Sequence, residues 1–255
     1  MPAFIDTHTH LYDEQFDQDR EEMIRRSLEA GVSKMYLPNC DSSTVAPMLR
    51  MASQWPRHCI PMMGIHPCYI KENYRQELEI AEAWLQKEQF AAIGEIGLDY
   101  YWDTAFVKEQ KEAFNIQMDW ALAFGLPIVI HTRESMTDGI QMVKARQNGS
   151  LRGIFHCFGG TKEEAEQIID LGFYLGIGGV ATFKKSTLPE VLRHIPLEHM
   201  VLETDAPYLA PVPYRGKRNE SAYIPLIGTK IAEIKNCSVE EVAAITTRNA
   251  ERIFG

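Results

Sequence analysis

The sequence of 255 residues lacks a long apolar run, an excess of positive charge and a regular spacing of cysteines. No stretch approaches the roughly 20 apolar residues that cross a bilayer, so the sequence predicts no membrane span. The N-terminus shows no charged segment followed by an apolar one, and we therefore expect no secretory signal. The net charge of −9 argues against a protein that wraps long duplex DNA, but it does not exclude a small cationic site for a strand end.

The five cysteines are scattered, and no two of them have the C-x-x-C spacing. This pattern is typical of a reduced protein, so we predict free thiols and a cytoplasmic location. Low-complexity segments, linkers and internal repeats are also missing from the sequence. We therefore predict a single domain over residues 1–255.

Short apolar runs that are typical of strands alternate with longer helical patterns along the whole chain. The first run, AFIDTH, precedes a helical pattern that ends at Gly31. The second helix is expected to begin with Ser42 or Ser43 as its N-cap, the long fourth one to be closed by Gly125, and the last one to begin at Ser238. Eight such strand–helix units predict an α/β protein with a parallel TIM (β/α)8 barrel. A doubly wound open sheet is the alternative, although no G-x-G-x-x-G motif follows the first strand.

Imidazoles and carboxylates recur where the predicted strands end. Alternate positions of a strand share a face, so the two histidines of FIDTHTHL point the same way. Further residues of these types end strands three, four, five, six and eight, and in a TIM barrel the carboxyl ends of all strands meet at one mouth. The set comprises His8, His10, His66, Glu95, His131, His156, Glu203 and Asp205.

This concentration of side chains indicates a metal centre. One histidine at a strand end is usually a hydrogen-bonded core or surface residue, whereas a desolvated cluster needs a cation. A catalytic zinc usually has three protein ligands, so six ligands predict two divalent ions, for which we consider zinc, manganese and magnesium. Glu95 is the expected bridge because it has two oxygens, and two ions together can activate a water. The six predicted ligands are His8, His10, Glu95, His131, His156 and Asp205.

Eight motifs occur in order along the chain: FIDTHTHL, MGIHP, IGEIGLDYY, PIVIHTRES, FHCFGG, TFKKS, LETDAPYLAP and RGKRNE. Together they resemble the signatures of the TatD family of metal-dependent hydrolases, usually described as deoxyribonucleases. The resemblance implies a TIM barrel, the six metal ligands named above and cleavage of DNA phosphodiester bonds, often from the 3′ end of a single strand. It also implies a contact between His66 and the substrate phosphate. One departure is Ser221, which stands where many members have proline after RGKxNE.

Further roles follow from position and residue type. Asp205 is the candidate general base, because a carboxylate among the metal ligands can take a proton from the attacking water. Glu203 shares its strand face and lies deeper, so we expect it to orient a ligand histidine. His66 is a candidate for phosphate contact or for proton donation to the leaving oxygen. The candidate substrate-binding residues are Arg133, Tyr100, Arg215, Lys217 and Arg218, with Tyr101, Trp102, Lys184 and Lys185 as further cations and aromatics that could equally be surface or packing residues.

Two other functions fit parts of this pattern. One is an amidohydrolase of another kind, which would act on a small molecule as phosphotriesterases, lactonases or dihydroorotases do. Binuclear members of that kind commonly bridge their ions with a carbamylated lysine on strand four, where FAAIGEIGLD has Glu95 and no lysine. The other is a scaffold without catalysis, against which the complete set of ligands argues.

Overall fold

A computed structural model describes residues 3–255, which contain eight β-strands and nine α-helices. The strands are β1 (Phe4–Asp6), β2 (Val32–Pro38), β3 (Cys59–Met62), β4 (Ile93–Asp99), β5 (Ile128–Arg133), β6 (Gly153–Phe155), β7 (Tyr174–Ile177) and β8 (Met200–Leu202). The helices are α1 (Arg20–Glu29), α2 (Ser42–Gln54), α3 (Tyr74–Lys87), α4 (Val107–Phe124), α5 (Met136–Arg146), α6 (Lys162–Asp170), α7 (Leu188–His194), α8 (Ile224–Lys235) and α9 (Val239–Phe254).

The strands close into a barrel. Each strand pairs in parallel with its neighbour in the sequence, which gives two sheets, β1–β3 and β4–β8. Met63 and Ile93 form a parallel bridge at one seam between the sheets. At the other seam the Thr7 amide donates to the Leu202 carbonyl at 3.0 Å. The prediction of a TIM barrel is therefore confirmed, and the open-sheet alternative is wrong.

Apolar side chains fill the barrel interior below the predicted site. Val129 and Ile154 lie two residues before His131 and His156, so they share the inward face of their strands at a deeper level. Both belong to a buried cluster that also draws residues from five other strands or their entrances and from α9. The interior of the barrel is therefore packed, and only its carboxyl end is available for polar side chains.

Helix α9 closes the opposite, amino-terminal end of the barrel. Its residues Ala250 and Ile253 are buried in the same cluster as Ile5. The Phe254 ring stacks on the Tyr36 ring with the centroids 3.8 Å apart. This helix thus forms the floor of the barrel.

Three of the four predicted helix ends are confirmed, and one is wrong. Gly31 follows the C-cap of α1 with a φ of 90°. Gly125 ends α4 in the left-handed conformation with φ 68°, and the Ser238 hydroxyl caps α9 by accepting the Glu241 amide. The N-cap of α2 is Asp41 rather than a serine. Its carboxylate reaches two amides at once, those of Ser43 and Thr44, which a serine hydroxyl at the next position does not do.

No helix within residues 3–255 is long and apolar enough to cross a membrane. The five cysteines are all free thiols.

Candidate metal centre

Glu95 lies at the centre of the barrel mouth, and its two carboxylate oxygens face different histidines. Oε2 lies 3.1 Å from His8 Nε2 and 3.5 Å from His10 Nε2. Oε1 lies 2.8 Å from His131 Nδ1 and 2.7 Å from His156 Nε2. The carboxylate is almost fully buried, with 2% of the residue exposed. Its position between two pairs of imidazoles is the geometry that a bridging ligand requires.

The remaining predicted ligand joins one of these pairs. Asp205 Oδ1 lies 3.7 Å from His8 Nε2 and 3.5 Å from His10 Nε2. Its backbone has a φ of 55°, and its amide donates to the His8 carbonyl at 2.9 Å, which fixes the residue against β1. His66 Nε2 lies on the other side, 3.4 Å from Glu95 Oε1. The structure therefore brings all six predicted ligands and His66 together.

The ring nitrogens in this cluster are arranged for a cation. His8 Nε2 and His10 Nε2 face each other at 3.3 Å, and His131 Nδ1 and His156 Nε2 do so at 3.2 Å. Two imidazole lone pairs at this distance repel each other unless a proton or a metal ion lies between them. Three groups have their ligand atoms within 4.8 Å of one another: His8 with His10 and Glu95, His8 with His156 and Asp205, and His66 with Glu95 and His131. Nitrogen and carboxylate donors of this kind fit zinc, manganese and similar divalent ions.

The charges of the cluster also fit a cation. Although burial opposes ionisation, the neighbouring His156, His66 and His8 hold the pKa of Glu95 well below its usual range. Burial also opposes protonation of His156, but the carboxylates of Glu95 and Glu203 outweigh it and raise the pKa of His156. A proton on His156 thus helps to balance the buried carboxylates, whereas burial lowers the pKa of His8 and of His66. Because metal ions need deprotonated ligands, their binding would release the proton of His156.

Asp99 supports His131 and was missed by the sequence analysis. Its Oδ2 accepts a hydrogen bond from His131 Nε2 at 2.8 Å, which leaves the Nδ1 lone pair directed at the centre. Its Oδ1 accepts the amides of Tyr101 and Trp102, so the same carboxylate also fixes the loop after β4. A signal was available, because Asp99 follows Glu95 by four residues on one strand and therefore shares its face.

Tyr12 supports His10 in a similar way. The Tyr12 hydroxyl donates to the Pro38 carbonyl at 2.6 Å and lies 3.0 Å from His10 Nδ1. Because the hydroxyl proton is used at Pro38, the oxygen accepts from Nδ1–H, and the lone pair of His10 Nε2 points at Glu95. Nothing in the sequence pattern marked this tyrosine.

Glu203 lies beside His156, the ligand histidine that it is predicted to orient. Its Oε1 accepts the Cys157 amide at 2.5 Å and lies 3.5 Å from His156 Nδ1. The residue is fully buried, and within residues 3–255 its Oε2 and His156 Nδ1 have no other polar partner in hydrogen-bonding geometry.

A buried carboxylate joins β1 to the segment that carries Asp205. Asp6 accepts hydrogen bonds from the amides of His8 and Thr204 and from the hydroxyls of Thr204 and Ser221. Burial raises the pKa of Asp6 to about 7, although the four hydrogen bonds lower it. Ser221, the departure from the family pattern, thus donates to Asp6 at 2.6 Å, a bond that proline cannot form.

A cavity of about 830 Å³ opens above the centre. Of the further candidates, Tyr101, Lys184 and Lys185 do not line it. The predicted substrate-binding residues that do line it are Arg133, Arg215 and Lys217, and Trp102 joins them.

Two predicted substrate-binding residues lie elsewhere. The Tyr100 hydroxyl donates to Asp138 at 2.8 Å, and Tyr100 does not line the cavity. Arg218 forms two hydrogen bonds with Asp19, at 2.7 and 2.8 Å, and its guanidinium does not line the cavity. Each side chain is held by a carboxylate on a different helix or its N-cap, and the substrate-binding roles of both residues stay predictions.

Comparison with known proteins gives matches over nearly the whole chain. A model of the family described as TatD related DNase matches residues 5–255. An uncharacterized metal-dependent hydrolase of Bacillus subtilis, YabD, is 38% identical over 255 residues, which are 98% of each chain. The 3'-5' ssDNA/RNA exonuclease TatD of Erwinia tasmaniensis is 32% identical over 98% of this chain and 99% of its own length. The crystal structure of YJJV, a TatD homolog from Escherichia coli K12, superposes with a TM-score of 0.92 at 27% identity and covers 98% of this chain and 97% of that one.

Proposed function

Because the chain belongs to the TatD-related DNase family and is a metal-dependent hydrolase, we propose that it cleaves phosphodiester bonds of DNA from the 3′ end of a single strand. The position of Glu95, with one oxygen toward each pair of histidines, is the observation that carries the proposal. The name of the Erwinia relative, which is a 3'-5' exonuclease, supports the direction of cleavage.

The proposed metal ligands divide into two sets that share Glu95. One set would hold an ion through His8, His10, Glu95 and Asp205, and the other through Glu95, His131 and His156. Divalent ions in such a pair lower the pKa of water and stabilise the charge on the oxygens of a phosphodiester.

Asp205 is the proposed general base. It is the member of the first set nearest the cavity, since 16% of its side chain is exposed whereas Glu95 is almost fully buried. Its second carboxylate oxygen has no histidine partner among the described residues, so it can accept a proton from the attacking water. In the cleavage step the water oxygen bonds to phosphorus, the bond from phosphorus to the leaving 3′ oxygen breaks, and solvent protonates that oxygen.

His66 is better placed to hold the phosphate than to give up a proton. Its Nδ1 accepts the Cys68 amide at 3.0 Å, so the ring proton lies on Nε2. That nitrogen lies 3.4 Å from Glu95 and lines the cavity. A neutral imidazole of this kind donates a hydrogen bond to a phosphate oxygen, and Arg133 and Lys217 add positive charge at the mouth.

Oligonucleotides labelled at either end test the proposal. With added manganese, magnesium or zinc we expect stepwise release of mononucleotides from the 3′ end, and with excess chelator no cleavage. Glu95→Gln should be inactive, while Glu88→Gln, which changes an exposed glutamate on α3's C-cap, should behave as the wild type. Undiminished cleavage in chelator would contradict the metal centre. Faster turnover of an aryl phosphotriester or a lactone than of any oligonucleotide would favour the small-molecule alternative.

A further inference from the structure

Exposed aromatic side chains are concentrated at the cavity mouth. Within residues 3–255 six large apolar residues are strongly exposed; three of them, Tyr69, Trp102 and Tyr208, line this cavity, and Tyr101 packs against Trp102. Of the aromatic residues that line the cavity, two are more than half exposed: Trp102 at 67% and Tyr208 at 52%. Exposed apolar groups that cluster at the rim of a cavity mark a binding surface.

Trp102 and its neighbours form a first platform. The Arg133 guanidinium lies 3.9 Å from the Tyr101 ring centroid and 5.2 Å from that of Trp102. The two rings meet edge to face at 5.0 Å. Asp99 holds the backbone of both aromatic residues with one oxygen and His131 with the other, so this platform is fixed relative to one half of the metal centre.

Tyr208 forms a second platform on the other half. Its amide donates to the Asp205 carbonyl at 2.9 Å, and its carbonyl accepts the Asn219 side chain at 2.6 Å. The ring stands edge-on to His10 with the centroids 6.4 Å apart. A flat ring is thus attached by the backbone directly to the proposed general base.

We propose that the two bases on either side of the cleaved phosphodiester stack on these platforms, one on Trp102 and one on Tyr208. This inference rests on the proposed function and names the part of the substrate that the site recognises. A base stacked on a protein ring has left its neighbours in the strand, so the platforms select unpaired ends through base faces, without reading sequence.

The charge of the chain supports the same conclusion. A net charge of −9 weakens any long contact with a phosphate backbone, and among residues 3–255 only Arg133, Arg215 and Lys217 bring cations to the cavity. Stacking is independent of charge, and its loss at one base typically lowers binding about 10- to 100-fold. Three cations are too few to recognise a strand end by its phosphates. We therefore expect the two platforms to supply this specificity.

Short single strands with one abasic site test the inference. The base is removed from the terminal or from the penultimate nucleotide, and kcat/KM is measured for the wild type, Trp102→Ala and Tyr208→Ala. In the wild type each abasic site should lower kcat/KM about 10- to 100-fold. Each variant should lose this dependence at one of the two positions and keep it at the other. Tyr208→Phe and Trp102→Phe, which retain a ring, should behave nearly as the wild type.

Phe124→Ala is the matched control, because this exposed aromatic lies at the end of α4 and does not line the cavity. It should leave every rate unchanged. The inference is overturned if kcat/KM of both alanine variants falls at each abasic site as it does for the wild type. Wild-type cleavage of the intact strand would in that case still support the exonuclease. Absence of cleavage of any oligonucleotide would overturn the proposed function as well.

Discussion

Exchange of Asp99 for asparagine should detach one metal ion without disturbing the fold. Asp99 is ionised, because His131 and two backbone amides lower its pKa although burial opposes ionisation. Asparagine keeps the shape, and its oxygen can still accept the amides of Tyr101 and Trp102. Its NH2 group then faces His131 Nε2, which must become an acceptor. The ring proton moves to Nδ1, the atom that lies 2.8 Å from Glu95 Oε1.

The expected loss follows from this change of tautomer. A nitrogen that carries a proton cannot bind a metal ion, so His131 must either turn or lose its hydrogen bond to residue 99. Loss of such a support typically costs 10- to 100-fold in metal affinity, which corresponds to about 1.4 to 2.8 kcal/mol. Asp99 contacts neither His8 nor His10, so the loss should affect only the ion held by His131.

Isothermal titration of the metal-free protein with manganese or zinc measures this effect. We expect the wild type to show two binding steps, and Asp99→Asn to weaken one of them while the other stays unchanged. Asp103→Asn is the control, since this carboxylate lies in the same loop but pairs with Lys71. Equal affinities of Asp99→Asn and the wild type in both steps would refute the tautomer argument.

Three further substitutions give distinct results. Glu95→Gln removes the carboxylate shared by both ligand sets, so elemental analysis should find little bound metal while circular dichroism shows an intact fold. Ser221→Ala removes a hydrogen bond to the buried Asp6 and should lower the free energy of unfolding in urea by about 1.5 to 3 kcal/mol. Asp19 has its pKa lowered to about 2, chiefly by Arg218, so its contribution is complete above the unfolded pKa of about 4 and is lost as the pH falls toward 2. Asp19→Asn should therefore cost up to about 1 kcal/mol at pH 7 for this partly exposed pair, and the difference from the wild type should shrink below about pH 4 and disappear only as the pH falls through about 2.

Exposed residues of the same types serve as controls for these three. Glu88→Gln, Ser53→Ala and Asp170→Asn should leave metal content unchanged and stability within about 0.5 kcal/mol. Full metal content in Glu95→Gln, an unchanged unfolding curve in Ser221→Ala or a pH-independent difference in Asp19→Asn would contradict the respective contact.

The sequence predicts the barrel and the position of the ligands because both depend on short-range periodicity. A histidine at the end of an apolar run, such as His131 or His156, reaches the mouth through strand alternation alone. The roles of Tyr100 and Arg218 could not be predicted in this way. Their partners, Asp138 and Asp19, are 38 and 199 residues away in the sequence, and no local pattern reports such pairs.

The N-cap of α2 shows a different limit. Asp41, Ser42 and Ser43 are consecutive and are all good caps, so propensity does not distinguish them. The choice depends on where the backbone leaves β2. Ser42 is not available as a cap, because its amide and its hydroxyl donate to Glu77 of α3.

Because α9 closes the amino-terminal end of the barrel, its position at the end of the chain has a consequence for protein synthesis. The strand residues of the interior, among them Ile5 and Tyr36, are covered from below only when Ala250, Ile253 and Phe254 are in place. A translation product that stops before α9 therefore carries all the metal ligands and still has an open apolar end. Ribosome stalling or premature termination in this part of the message would yield chains that are prone to aggregate rather than enzymes of reduced activity.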